Sequence, residues 1–205
     1  MTELRIHQLA AVAMMVSGLL LGLSYISHPH QMPPAVIAGK SWFFIHAGFL
    51  ASLIIGLLGT TGFYARTMAR TGYLGFTGYL LIFIGMILIA GLDYYETLIA
   101  PHLAIEFPTV IEKYGPGDTM GPVAVAIPLS GALTVTGFVL LGIANIRGGT
   151  FRKWPMSALV VTAIIFGVGL SPIGGILAAQ VGAAVFGLAL VWAGWSYLHD
   201  ANTIR

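Results

Sequence analysis

The chain has 205 residues, of which 58% are hydrophobic and only 8% charged, with a net charge of +2 and no cysteine. A soluble domain carries roughly 25% charged residues, so most of this surface must meet lipid. So small a charge excess gives no footprint for nucleic acid, and the lack of cysteine excludes disulfides, thiol catalysis, iron–sulfur clusters and thiolate metal sites.

A helix needs about 20 apolar residues to cross ~30 Å of hydrocarbon. Six segments meet that requirement, over approximately 6–27, 41–65, 73–99, 123–146, 155–171 and 173–198. The N-terminal stretch MTELRIHQLAAVAMMVSGLLLGLSYIS has a charged start and an apolar body, as a signal peptide does. It lacks a clear small-x-small cleavage site and its apolar part is about 20 residues long, so it is read as a retained first span. Between the fifth and sixth segments, GLSPIGG at 169–175 predicts a tight turn after a short fifth helix. The fold class expected is an all-α integral membrane protein, a single domain over 1–205 built as a six-helix bundle. The runner-up is five spans with a re-entrant piece near 169–175.

The basic residues orient the bundle. The N-terminus, the loops RTMARTG and RGGTFRKWP, and the C-terminus hold Arg5, Arg66, Arg70, Arg147, Arg152, Lys153 and Arg205. The remaining two loops hold only Lys40 and Lys113. Seven against two, alternating over six spans, predicts both termini in the cytoplasm under the positive-inside rule. The expected location is the cytoplasmic (inner) membrane of a bacterium, with the longest loop, 105–122, outside.

Small residues recur at every fourth position: Gly175, Ala179, Ala183 and Gly187 in the last span, Gly48, Ser52, Gly56 and Thr60 in the second, Gly18 and Gly22 in the first. In lipid such seams bring backbones together. Packing inside the bundle is the simpler reading; a homodimer or a larger membrane complex is the alternative. Trp42, Trp154, Trp192 and Trp195 fall near span ends, where interfacial anchors are expected.

Helix three gathers the acids at its far end. Five of the seven acids, Asp93, Glu96, Glu106, Glu112 and Asp118, lie between 93 and 118. With 1.5 Å of rise per residue, a span starting near Tyr73 has crossed ~30 Å by about Leu92, so Asp93 and Glu96 lie near the outer interface. Their i, i+3 spacing puts them on one helix face. Pro101 lacks an amide donor and predicts an end or kink there. His28, His30, His46 and His102 are expected on the same side, His46 about five residues inside helix two. An ionisable group in the outer leaflet is costly unless paired, which makes His46 the leading functional candidate, then Asp93 and Glu96, with His102 and His28 as further partners. Charges solvated at helix ends account equally well for Asp93, Glu96 and Glu106, and a loop position accounts for His102.

Imidazoles with carboxylates suit a divalent metal held by His46, Asp93 and Glu96, or a proton-transfer pair. Haem would need two facing histidines, His46 with His28 or His102, or His7 with His199 at the other end. No HExxH or comparable motif is present. The function expected is therefore a membrane protein binding a divalent metal, a quinone-like molecule or a lipid at a His/carboxylate site, or a small membrane enzyme built on that site. An accessory subunit of a larger complex and a small dimeric transporter are the alternatives. Span centres of Leu, Ile, Gly, Ala and Val speak against a hydrated path.

Overall fold

The computed structural model describes residues 3–114, 122–171 and 173–203. These residues form helices α1 (Glu3–Ser27), α2 (Pro34–Ile37), α3 (Lys40–Leu98), α4 (Ala100–Glu106), α5 (Pro108–Tyr114), α6 (Pro122–Gly148), α7 (Lys153–Leu170) and α8 (Gly175–Thr203). Helix is the structure an apolar chain adopts in lipid, because it pairs backbone groups within one segment. Prolines open α2, α5 and α6. At a first helical position the missing N–H costs nothing. Pro128 lies within α6, which continues past it. Asp118, expected in the longest loop, lies outside the described residues.

Among the described residues, five helices are long and apolar enough to cross a membrane. The second is far too long for one crossing: a straight helix of its 59 residues would run about 88 Å, nearly three times the ~30 Å hydrocarbon layer. It is not straight. Gly72 has φ 55 and ψ −153, a conformation open in practice only to glycine, and there the chain folds back. The first arm, 40–71, and the second, 73–98, run antiparallel. His46 meets Asp93 near the open end, a Cβ on Gly56 would meet Met86 midway, and Tyr64 stacks on Tyr79 toward the turn. The sequence places a loop at RTMARTG, whereas the helix runs through Arg66 and Arg70 and breaks only at Gly72.

Close approaches define the rest of the bundle. Gly56 sits against Ser17 and Gly59 against Met14, pairing the first arm with α1. Gly78 meets Leu141 and Gly85 meets Thr134, pairing the second arm with α6. Gly142 packs on Val160, Gly182 on Phe166, and Gly18 on Gly187, which joins α6 to α7, α7 to α8 and α8 back to α1. In each pair the residue numbers run in opposite directions, so neighbouring helices are antiparallel around a closed ring. The seams at Gly18, Gly48, Gly56 and Gly187 face helices of the same chain. Ser17 and Ser52 lock one such seam, each hydroxyl donating to the other's carbonyl. The segment after α7 is a turn leading into α8, and α7 itself is one of the five long apolar helices.

Aromatic rings fill the ring's interior. Phe138, Phe166 and Phe186 join α6, α7 and α8, and Tyr25 contacts both Phe49 and Phe166. At the end holding both termini, the Arg66 guanidinium lies between the rings of Phe151 and Tyr197, and His7 bonds the Tyr197 hydroxyl at 2.9 Å. Around the outside, large apolar side chains such as Leu58, Val161 and Leu188 are exposed, as a lipid-facing surface requires.

Candidate functional site

The opposite end of the bundle holds Asp93, Glu96, His28 and His46. His46 stands about 9 Å along the first arm from Lys40, and Asp93 about 7.5 Å from the end of the second, so the hairpin brings them to one depth. His46 Nδ1 lies 2.6 Å from Asp93 Oδ1. His46, Asp93 and Glu96 are buried to 7%, 5% and 5% exposure. A carboxylate on Nδ1 keeps the proton there and leaves the Nε2 lone pair available.

Two bonds hold this corner. Helix α3 ends at Leu98, so the carbonyls of its last turn lack intrahelical donors. The Trp42 indole N–H donates to that of Glu96 at 2.9 Å. The Thr97 hydroxyl donates to the Asp93 carbonyl at 2.6 Å, a local back-bond. Trp42 also packs on His46 with ring centroids 4.4 Å apart, and the His28 ring meets His46 edge-on at 5.4 Å. His28 lies just past α1, and its carbonyl accepts from Gln180 of α8 at 3.0 Å. Burial pushes the His28 imidazole below its ordinary range. The Pro29 carbonyl it bonds opposes this, while His46 and His30 add to the downward shift. A small apolar cluster of Ile37, Trp42, Ala100, Ala104 and Ile111 ties α2, α4 and α5 over this end.

The structure brings four of the five sequence candidates together, His28, His46, Asp93 and Glu96. It leaves out His102, which is exposed and lies 3.5 Å from Glu106 one turn along α4. Trp42 departs from expectation. It is buried at 1%, serving the dyad instead of anchoring the interface, while Trp154, Trp192 and Trp195 are exposed. Gln180 was not anticipated, although an amide early in an otherwise apolar span is a signal of the same kind as His46.

Among the described residues, no three His, Cys, Asp or Glu side chains are disposed to hold a metal ion. The divalent-metal expectation for His46, Asp93 and Glu96 therefore has no support from this arrangement. Asp93 engages the imidazole instead of converging with it on a common point. Nor is there space for a porphyrin between His28 and His46, whose rings touch. At the other end His7 pairs with Tyr197, while His199 pairs with the Trp195 carbonyl.

Among the described residues, four buried side-chain polar atoms have no hydrogen-bond partner: His46 Nε2, Asp93 Oδ2, Glu96 Oε2 and Ser196 Oγ. Three of the four belong to this one corner. Such atoms are rare in folded proteins and costly when left unpaired. Searches with protein-family models, with the curated proteins and with the solved structures found no match to this chain.

Proposed function

We propose that the chain is a six-crossing membrane protein, both termini cytoplasmic, that binds the polar head of a membrane-dissolved amphiphile at His46, Asp93 and Glu96. The head that suits the site best is a quinone-like ring bearing hydroxyl or carbonyl oxygens. The observation that carries this reading is the gathering of the unpaired His46 Nε2, Asp93 Oδ2 and Glu96 Oε2 in one buried corner. The bond from Nδ1 to Asp93 makes Nε2 an acceptor for a hydroxyl proton. Glu96 offers a second polar contact, and Trp42 beside His46 gives an aromatic wall.

The topology is supported by the antiparallel pairing around the ring, which needs an even number of crossings, and by the seven-to-two division of basic residues. The aromatic interior, with Phe138, Phe166 and Phe186 in contact, favours binding over passage through the bundle.

The test is extraction. Protein purified in mild detergent is denatured in organic solvent, and the released small molecules are identified by mass spectrometry. The reading expects an amphiphile with a hydroxyl- or carbonyl-bearing head at near-stoichiometric yield, lost from His46→Ala. A phospholipid in that role would replace the quinone-like head. Equal recovery from the wild type and His46→Ala would overturn the site.

A further inference from the structure

The helix that roofs the site carries an exposed apolar flank, with the Lys113 ammonium 4.9 Å from the centroid of its Tyr114 ring. Ile111 of α5 points inward, buried at 4%. At 100° per residue, Val110 and Tyr114 of α5 fall on the side adjoining Ile111, while Thr109, Glu112 and Lys113 fall on the opposite side; Phe107, with φ −135 and ψ 59, joins α4 to α5 ahead of that helix. Phe107 is 53% exposed, Val110 41% and Tyr114 58%. On α4, Ile105 is exposed as well. A water-facing loop would not present four such side chains within ten residues while Glu112 sits on the far side of the helix.

We propose that α4 and α5 lie in the headgroup layer of the bilayer as an amphipathic anchor, Phe107, Val110 and Tyr114 dipping toward the acyl chains. The occupant is the lipid surface, because the flank continues the lipid-facing belt directly: Tyr94, Leu98 and Ile99, exposed on the preceding turns, belong to the same apolar span, which extends to Glu106. The charges set the lipid chemistry. Glu106 and Glu112 outnumber Lys113, so insertion is driven by apolar burial and does not depend on anionic lipid. Since Ala100, Ala104 and Ile111 of the same two helices pack on Trp42, the roof of the His46 site is fixed at the membrane surface. A ligand dissolved in the bilayer then reaches the site without crossing water. The anchor rests on the membrane reading proposed above but not on the ligand.

The absence of native cysteine makes single-site spin labelling direct. Phe107→Cys, Val110→Cys and Glu112→Cys, each spin-labelled, are placed in nanodiscs of zwitterionic lipid, with Leu58→Cys and Leu188→Cys as markers of the span surface. Collision with oxygen is compared with collision with a water-soluble nickel chelate. The anchor predicts oxygen-dominated relaxation at 107 and 110, chelate-dominated relaxation at 112, and no change when anionic lipid is added. Chelate-dominated relaxation at all three sites, with 58 and 188 still oxygen-dominated, overturns the anchor and leaves the membrane reading standing. Chelate access at 58 and 188 overturns both. Spin–spin broadening at 107 and 110 that vanishes on dilution with unlabelled protein assigns the flank to a second copy and also overturns the proposal. Two independent positions, 107 and 110, guard against one variant failing to fold.

Discussion

His46 and Asp93 are 47 residues apart in sequence and 2.6 Å apart in space, joined across the two arms of one hairpin. Each lies beyond the reach of solvent that could replace the other. Removing one partner leaves the survivor buried and unsatisfied, at about 3 kcal/mol where the survivor is the Asp93 carboxylate and about 1–3 kcal/mol where it is the neutral imidazole. His46→Ala is therefore expected to destabilise the protein by about 3 kcal/mol and Asp93→Ala by about 2 kcal/mol. The double variant falls short of the sum by a coupling of about 1–3 kcal/mol. Reversible unfolding in mixed micelles measures all three. Simple additivity would mean the two side chains do not interact.

Gly72 is the hinge on which that contact depends. Its φ of 55 with ψ −153 is strained for any residue with a Cβ, by about 1–3 kcal/mol. No neighbour blocks a Cβ at this position, so the cost of Gly72→Ala is backbone strain and nothing else. Gly91, helical and equally open, is the control. Gly91→Ala is expected to be neutral or stabilising by up to about 1 kcal/mol. Thermal unfolding followed by circular dichroism separates the two, and equal midpoints for both variants would contradict the hinge.

Gly18 and Gly187 bring α1 and α8 into backbone contact and close the ring. A Cβ on Gly18 would run into the Gly187 backbone and the Leu190 side chain. Gly18→Ala is expected to cost about 1–3 kcal/mol, the range for overpacking, and Gly18→Leu more. The same unfolding assay reads it. An unaffected Gly18→Leu protein would show that α1 and α8 do not pack this closely.

The stability should also fall in acid through His28. Burial holds its imidazole below the ordinary value of 6.5, so the unfolded chain takes up a proton before the folded one does. The contribution is fully present above pH 6.5 and is lost as pH falls through the lower folded value. Protonation there also sets a charge 5.4 Å from the His46 ring and near His30, both of which disfavour it. Comparing the wild type with His28→Gln below pH 6.5 checks this. The variant's stability should depend less steeply on pH, and an unchanged slope would assign the acid sensitivity to another group.

The helices and the grouping of imidazoles with acids were legible in the sequence because each rests on local or one-dimensional rules. Apolar length defines a span, and a charged residue near a span end has a computable depth. Depth alone puts His46, Asp93 and Glu96 at one level. It could not choose between the roles of Trp42, because a tryptophan near a span end reads the same whether it faces lipid or donates to a helix-end carbonyl. It also kept His102 as a partner, since depth says nothing about which way a loop side chain turns. The metal expectation goes unsupported for a related reason: whether carboxylates converge on a point or bond the imidazole is decided by side-chain geometry, which residue type and depth do not give. Gly72 lay within the expected turn, yet its φ, and with it the long continuous helix through Arg66 and Arg70, follows only from the packed hairpin.

The central claim is that His46 presents an unpaired Nε2 to a ligand while Asp93 holds its other nitrogen. Nitrogen-15 NMR of histidine-labelled protein in nanodiscs tests it most directly, with a short-tailed quinol as the probe. The account predicts a neutral His46 with its proton on Nδ1 and a Nε2 resonance that shifts when the quinol is added, the shift being absent in Glu96→Ala. A proton resident on Nε2, or a Nε2 resonance indifferent to both quinol and bilayer lipid, would contradict it.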